Sequence, residues 1–211
     1  MLVHNLCKQL CPERIPCTVG KKLGDGADGE VFDIVGRSDR VIKFCVLYET
    51  GSDSLELVYR RISKVIDYLI GHPDPVFAKV YRHNIMGQFT RTVWKNNTQR
   101  YVMYYYFMEK LEKITDDERK VFDTLLSHED KNKKKIFTPE KFKEIISGLS
   151  SGLDFDKKKV TFFCDNLKVS PVQHLDIHPR NIMKDDQGNF KMIDFDRAQL
   201  NGVKNGKERK G

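Results

Sequence analysis

The residues best suited to chemistry lie in the segments His174–Asn181 and Met192–Asp196. Asp176 supplies a carboxylate that could accept or orient the proton of a hydroxyl group. Asn181 supplies an amide five residues later, and Asp194 supplies a second carboxylate behind a short apolar stretch. Carboxylate and amide oxygens are ligands that Mg²⁺ accepts, so these three residues would suit transfer of a phosphoryl group to a hydroxyl.

A glycine-rich segment near the other end of the chain supplies a second set of groups. Residues 24–31 read Gly-Asp-Gly-Ala-Asp-Gly-Glu-Val. Glycines allow backbone N–H groups to approach phosphate oxygens closely. Lys43 lies fourteen residues beyond Gly29 in a Val-Ile-Lys strand pattern, where its ammonium could reach the α- and β-phosphates of a nucleotide. The candidate phosphate-binding residues are Gly24, Asp25, Gly26, Gly29, Val31 and Lys43.

Two further groups belong with this loop. A lysine in this role needs an acidic partner on the following helix, and Glu56 is the candidate. Asp53 and Glu49 are alternatives, and so is a Glu56 that faces solvent. Exposed backbone groups after the last apolar strand would hydrogen-bond an adenine edge, which makes Met108, Glu109 and Leu111 candidate nucleotide-binding residues.

The apolar periodicity predicts the elements that must position these groups. Alternating apolar residues predict strands over 18–23, 31–35, 41–46, 77–86 and 101–108, with a turn at 36–40. Apolar residues at helical spacing from Leu55 to Leu69 predict a helix that ends before Gly71. Further helices are predicted from the capping box at Thr115 to Ser127, from Thr138-Pro139 onward, and over 156–167. A tight hairpin is predicted at 188–189 between two short apolar strands.

Composition narrows the class of protein. The chain has 211 residues, 39% of them hydrophobic, which favours a folded domain or one two-lobed unit. The net charge of +7 and the lysine clusters favour a solvated basic surface over a nucleic-acid footprint. No apolar run approaches a membrane span and no signal-peptide core is present, so we expect a cytoplasmic protein. The sequence gives no indication of the oligomeric state.

The five cysteines form no Cys-x-x-Cys pair. One interpretation is a metal site whose ligands would be Cys7, Cys11 and Cys17, with His4 nearby. Their spacing matches no common zinc pattern, so reduced and mostly buried thiols are the favoured interpretation.

On these motifs the chain resembles the protein-kinase-like superfamily, from about Val19 to Ala198. The glycine loop, Val-Ile-Lys and Met-Glu-Lys-Leu are similar to eukaryotic-type protein kinases, whereas His-Leu-Asp-Ile-His-Pro-Arg-Asn and Ile-Asp-Phe-Asp are more similar to aminoglycoside and choline kinases. The resemblance implies an α+β, two-lobed protein-kinase-like fold. Its parts would be a small five-stranded antiparallel N-lobe with one helix over 1–108, including an N-terminal extension over 1–17, a truncated and mainly helical C-lobe over 109–200, and a basic flexible tail over 201–211.

The resemblance also implies roles for individual residues. Asp176 would be the catalytic base, Asn181 and Asp194 the metal ligands, and Lys43 the phosphate-binding lysine. The implied cofactors are ATP and Mg²⁺, with Mn²⁺ as an alternative. His178 stands where protein serine/threonine kinases have a lysine, so it would contact the γ-phosphate or brace the loop.

The chain departs from protein kinases after the second carboxylate. The seventeen residues that follow Asp194 are too few for an activation segment and the late helices. In size it resembles minimal kinases of phages and secreted bacterial effectors, for which the expected location would be the host cytosol. The expected function is a minimal atypical serine/threonine protein kinase with a protein substrate. The alternatives are a small-molecule kinase of the aminoglycoside or choline type and a nucleotide-binding pseudokinase scaffold.

Overall fold

The structure is a computed structural model that describes residues 15–26, 29–49, 54–94, 97–127, 139–149 and 152–201. The chain is an α+β protein that divides into two compact units. The first unit contains the residues up to Pro73 together with Lys79–Lys110. The second contains Asp74–Ala78 together with the residues from Leu111 onward. Among the described residues, no helix has both the length and the apolar character needed to cross a lipid bilayer.

The first unit is an antiparallel sheet of five strands with one helix. Its elements are β1 (Val19–Asp25), β2 (Gly29–Ile34), β3 (Arg37–Tyr48), α1 (Leu55–Gly71), β4 (Val80–Trp94) and β5 (Asn97–Glu109). The strands lie in the order β1-β2-β3-β5-β4. The predicted five-stranded antiparallel sheet with a single helix is therefore confirmed.

Both faces of the central strands are buried. On one face, Tyr59 of α1 packs edge-on against Tyr104 of β5, with ring centroids 5.5 Å apart. The opposite face carries a second buried cluster, formed by Phe32, Ile34, Ile42, Phe44, Val46, Met86, Tyr101, Met103, Tyr105 and Phe107. This two-sided burial explains why β3 and β5 contain nearly continuous apolar runs, although antiparallel strands usually alternate.

Helix α1 is held by its N-cap and by a polar chain to β4. The Ser54 hydroxyl accepts a hydrogen bond from the backbone N–H of Leu57 at 3.3 Å. His83 of β4 lies 2.8 Å from an Asp67 carboxylate oxygen through Nε2 and 3.4 Å from the Tyr59 hydroxyl through Nδ1. Burial raises the pKa of Tyr59 to about 12, so this hydroxyl stays protonated at neutral pH. These contacts fix the orientation of α1 against the sheet.

Several predicted boundaries in the first unit are wrong, and the strand predicted over 101–108 already begins at Asn97. The predicted strand over 77–86 is observed as Val80–Trp94. The apolar residues Val76 and Ala78 instead bond to Met192 in the second unit, with Met192 N–H donating to the Val76 carbonyl at 2.7 Å. The predicted turn over 36–40 is only two residues long, because Gly36 adopts a φ of +78° and lets β3 begin at once. The apolar character of Phe77 and Ala78 is typical of a buried segment, but it does not indicate in which core they lie.

The second unit combines helices with short strands. Its elements are β6 (Glu112–Lys113), α2 (Asp116–Ser127), α3 (Pro139–Leu149), α4 (Lys157–Val169), β7 (Val172–His174), β8 (Ile182–Lys184), β9 (Phe190–Met192) and β10 (Ala198–Leu200). Two 3-10 turns cover Pro179–Asn181 and Phe195–Arg197. β6 pairs with the β8–β9 hairpin, and β7 pairs with β10. The predicted cap Thr138 and the lysine cluster over 131–135 lie outside the described residues.

The predicted capping box of α2 is confirmed. The Thr115 hydroxyl accepts a hydrogen bond from Glu118 N–H at 3.2 Å, and a Glu118 carboxylate oxygen accepts one from Thr115 N–H at 2.7 Å. The same carboxylate lies 3.0 Å from the ammonium of Lys184 in β8. Since this glutamate is buried, it ties the first turn of the helix to the hairpin.

Aromatic packing holds the β8–β9 hairpin from the other side. Phe190 of β9 packs against Phe122 of α2 and Phe163 of α4, with ring centroids 5.0 and 6.2 Å apart. The Lys159 ammonium of α4 donates a hydrogen bond to the backbone carbonyl of Gln187 in the turn. The predicted turn at Gly188 has a φ of +75°, which favours glycine. The hairpin that leads into Asp194 is therefore fixed on several sides.

Candidate active site

Three of the predicted phosphate-binding residues of the first unit, Gly24, Val31 and Lys43, share one row of the sheet. Gly24 pairs with Val31 across β1 and β2, and Val31 pairs with Lys43 across β2 and β3. The row continues from Lys43 to Tyr106 of β5. Because residues paired across antiparallel strands project to the same face, Val31 and Lys43 lie on the face that carries α1.

Gly29 allows this row to pack closely. A Cβ atom at this position would lie 2.5 Å from the Phe44 carbonyl oxygen and 3.2 Å from Cε of Lys43. Backbone and lysine stem therefore occupy the space that any side chain would need. Gly24 and Gly26 differ, because a Cβ atom at either would meet no described atom within 4 Å. Packing explains the glycine at position 29, whereas a side chain at position 24 or 26 would have open space. The Gly26 N–H is itself used in the hairpin, because it donates to the Gly29 carbonyl at 2.9 Å.

An ion-pair network closes the β1–β2 hairpin next to the loop. The Lys22 ammonium lies 2.8 Å from carboxylate oxygens of both Asp25 and Glu30. The hydrogen bond from Lys22 lowers the pKa of Asp25 below its ordinary value. Asp25, predicted as a nucleotide-binding residue, thus has a structural partner in the hairpin itself.

Lys43 is buried, with 7% of the residue exposed. Its ammonium lies 5.7 Å from the centroid of the Tyr106 ring, within the range of a cation–π contact. The structure gives the predicted partner Glu56 a different role. Its carboxylate accepts a hydrogen bond from Arg60 at 2.9 Å, and its side chain is 73% exposed. Position 56 falls on the polar side of α1, next to the buried Leu55.

The two alternatives for this acidic partner have different outcomes. Glu49 pairs with Arg100 at 3.2 Å. Asp53 lies outside the described residues.

Two backbone N–H groups at the end of β5 are used in hydrogen bonds to neighbouring segments. Glu109 N–H donates to the Lys79 carbonyl at 2.9 Å, and the Glu109 carboxylate accepts from Lys79 N–H at 2.7 Å. Lys110 N–H donates to the Asp39 carbonyl at 3.0 Å. Met108 is buried, and Leu111 is the first residue of the second unit after this strand. An adenine edge would therefore have to use backbone groups other than these two donors.

The second unit brings Asp176, Asn181 and Asp194 together through the backbone. The Asn181 side-chain amide donates to the Asp176 carbonyl at 3.0 Å, and Ile193 N–H donates to the Asn181 carbonyl at 2.9 Å. Asn181 is buried, whereas the Asp176 carboxylate is partly exposed. Since Asn181 Nδ2 is used in the loop, Oδ1 is the atom that a cation would take.

His174 joins the two carboxylate-bearing segments. Its Nε2 lies 2.6 Å from the Asp194 carbonyl oxygen and 3.1 Å from the Ile193 carbonyl oxygen, so Nε2 carries the proton. Its Nδ1 accepts a hydrogen bond from Asp176 N–H at 3.2 Å. Both ring nitrogens are thus satisfied only by the neutral ring. Burial lowers the pKa of His174, and the hydrogen bonds to the Asp194 and Ile193 carbonyls offset part of this effect.

Asp194 has an unusual backbone conformation. Its φ of 68° and ψ of 78° are left-handed, and no other non-glycine residue in the described ranges has a positive φ. A side chain in this region costs about 1–2 kcal/mol. Backbone strain of this kind concentrates at functional sites, where the surrounding structure holds it in place. Here the His174 imidazole donates a hydrogen bond to the backbone carbonyl of Asp194.

The role of His174 is not predicted by the sequence. The signal was a histidine two residues before Asp176 on an apolar strand. Its function depends on the return of the chain to Asp194, which no local pattern reveals. A scan of family models and a search of curated proteins gave no match to this chain.

The packing at Gly29 generates a stability prediction. Gly29→Ala should lower the free energy of unfolding by about 1–3 kcal/mol, because the new methyl group overlaps a backbone carbonyl that must shift. Gly24→Ala is the matched control and should change it by less than about 0.5 kcal/mol. Urea unfolding of both variants measures the difference. Equal stability of the two variants would show that the close approach at Gly29 is absent.

The burial of neutral His174 predicts a pH dependence of stability. The unfolded ring takes up a proton near pH 6.5, whereas the folded ring does so only at lower pH. The contribution is therefore complete above pH 6.5 and declines as the pH falls below it, by up to about 1.4 kcal/mol for each unit between the two pKa values. Urea unfolding between pH 5 and 8 measures this slope.

Two variants isolate the contribution of this histidine. His174→Gln should be less stable at pH 8 and should lose the part of the slope that belongs to His174. His72→Gln makes the same substitution at an exposed position and is the matched control. If His174→Gln has the same slope as the wild type, the ring is not buried in the neutral form.

Proposed function

We propose that this protein is an ATP- and Mg²⁺-dependent phosphotransferase that transfers the γ-phosphate of ATP to a hydroxyl group, in the manner of a minimal atypical serine/threonine protein kinase. The five-stranded sheet with one helix, the glycine loop with Lys43, and the set Asp176, Asn181 and Asp194 support the proposal. The resemblance to protein-kinase-like enzymes rests on these residues and on the α+β architecture. The two-lobed kinase arrangement belongs to the proposal as well.

One observation carries the proposal. The neutral imidazole of His174 bonds at once to the backbone of Asp176 and of Asp194, while Asn181 bonds to Asp176. The loop that contains Asp176 and Asn181 is thereby held to the backbone of Asp194, which is in a strained conformation. A scaffold without chemistry would gain nothing from strain at a carboxylate.

The oxygen donors of this set fit a magnesium ion. Mg²⁺ typically takes one or two protein oxygens and completes its shell with water and substrate phosphates. Asn181 Oδ1 and the Asp194 carboxylate would hold the ion, and it would neutralise charge on the phosphates. No group of three or more His, Cys, Asp or Glu side chains suited to a metal occurs in the described ranges. A site with one carboxylate and one amide therefore depends on the nucleotide for its remaining ligands.

The protein groups then have distinct roles in the reaction. The Asp176 carboxylate accepts the proton of the acceptor hydroxyl as its oxygen forms a bond to the γ-phosphorus and the bond to the β–γ bridging oxygen breaks. ADP is the leaving group. Lys43 places a positive charge at the α- and β-phosphates. Backbone N–H groups of the glycine loop bind phosphate oxygens, apart from that of Gly26, which donates to the Gly29 carbonyl. Asp176 is partly exposed, as a group that meets an external hydroxyl must be.

Transfer of labelled phosphate tests the proposal. Purified protein with γ-labelled ATP and Mg²⁺ or Mn²⁺ should label itself or proteins of a lysate, and Asp176→Ala should reduce this by about 10²-fold or more. Nucleotide binding, followed as thermal stabilisation by ATP, should survive in Asp176→Ala. Asp186→Ala removes an exposed carboxylate from the hairpin turn and is the matched control that should keep full activity.

The other outcomes separate the competing functions. Turnover with amino-sugars or choline but not with protein would favour a small-molecule kinase. Thermal stabilisation by ATP without any transfer would favour a nucleotide-binding pseudokinase. If ATP neither stabilises the protein nor donates phosphate to any acceptor, the proposed function is wrong.

The left-handed conformation of Asp194 predicts that its replacement by glycine or alanine affects stability and activity differently. Asp194→Gly and Asp194→Ala both remove the carboxylate, so both should lose transfer activity. Glycine adopts the left-handed conformation without strain, so the glycine variant should be more stable than the alanine variant by about 1 kcal/mol. Urea unfolding and the transfer assay measure the two effects. Full activity in either variant would exclude Asp194 as a metal ligand.

A further inference from the structure

The ring of His178 is fixed by the backbone that follows it. His178 is the N-cap of the 3-10 turn over Pro179–Asn181, and its Nδ1 accepts a hydrogen bond from Arg180 N–H at 3.1 Å. The carbonyl of His178 accepts a hydrogen bond from Asn181 N–H at 2.9 Å. The residue is therefore held at both its side chain and its main chain.

This contact decides the tautomer of the ring. A nitrogen that accepts a hydrogen bond carries no proton, so the neutral ring has its proton on Nε2. Nε2 lies 3.7 Å from Oδ2 of Asp176. That separation exceeds a hydrogen bond, but hydrogen bonds between catalytic groups are often long before substrate binds and shorten in the complex. Both side chains are partly exposed, so the pair can adjust.

We propose that His178 is a positioning residue for Asp176, an inference that rests on the proposed function. Its Nε2–H bonds to Oδ2 and turns Oδ1 toward the acceptor hydroxyl. The backbone carbonyl of Asp176 is already held by Asn181, so His178 supplies the remaining constraint, on the carboxylate itself. A contact to the γ-phosphate and a purely structural brace are the two other roles for this ring.

A pair of variants separates these roles. In His178→Asn, the amide oxygen replaces Nδ1 as the N-cap acceptor, but nothing replaces Nε2–H. In His178→Gln, the amide nitrogen replaces Nε2–H, but the N-cap acceptor is lost. A positioning role therefore predicts that the asparagine variant is stable and slow, whereas the glutamine variant is less stable and faster than the asparagine variant.

Steady-state transfer kinetics give the expected magnitudes. In His178→Asn, kcat should fall by about 10- to 100-fold while KM for ATP stays within about 2-fold. In His178→Gln, kcat should recover to within about 5-fold of the wild type. The reverse order of activity would show a brace and overturn the proposal. An increase in KM for ATP with unchanged kcat would show a phosphate contact and overturn it equally.

A spectroscopic measurement tests the contact without activity. Long-range ¹⁵N–¹H correlation spectra of the imidazole distinguish the two tautomers, and the wild type should show Nε2–H for His178. Asp176→Asn should shift the Nε2 signal, while Asp186→Asn should not. A ring protonated only on Nδ1 would overturn the proposal even in an active enzyme. A wild type that shows Nε2–H but transfers no phosphate would instead contradict the proposed function.

Discussion

The hydrogen bonds of His174 are the interaction on which the candidate site depends. One neutral ring accepts from the backbone of Asp176 and donates to the backbone of Asp194, so it sets the separation of two segments far apart in sequence. A buried imidazole can do this only while both nitrogens have partners, because an unsatisfied polar group in the interior is costly. The backbone positions of Asp176 and Asp194 thus depend on a residue that has no step in the proposed reaction.

Other contacts in the second unit hold the segments around the His174 ring in position. β7 carries His174, and β10, which follows Asp194, pairs with β7. The β8–β9 hairpin between them is fixed by Glu118 with Lys184 and by the packing of Phe190 between two helices. The apolar packing of the second unit therefore holds the few polar atoms around His174 in place. Strain at Asp194 can persist because these contacts together outweigh about 1–2 kcal/mol.

The first unit uses a different principle. Its candidate nucleotide-binding residues are positioned by strand register. The register places Gly24, Val31 and Lys43 in one row across three strands. Register matters because a slip by one residue would move every side chain to the opposite face of the sheet, so Lys43 would leave the face that carries α1. Lys43 is buried because it lies within a strand whose neighbouring residues, such as Ile42 and Phe44, belong to the apolar core.

The sequence alone predicted most of the elements and the candidate reacting groups. Alternation and helical spacing predicted the five strands and α1, and the capping box at Thr115 predicted the start of α2 to the residue. The spacing of Asp176, Asn181 and Asp194 predicted a polar set that the structure holds together. The tertiary structure alone decided that Val76–Ala78 pair with Met192, that Glu56 bonds to Arg60, and that His174 joins two segments. Local patterns record which residues are buried or capped, but the partner of a buried group is set by chain segments that meet only after folding.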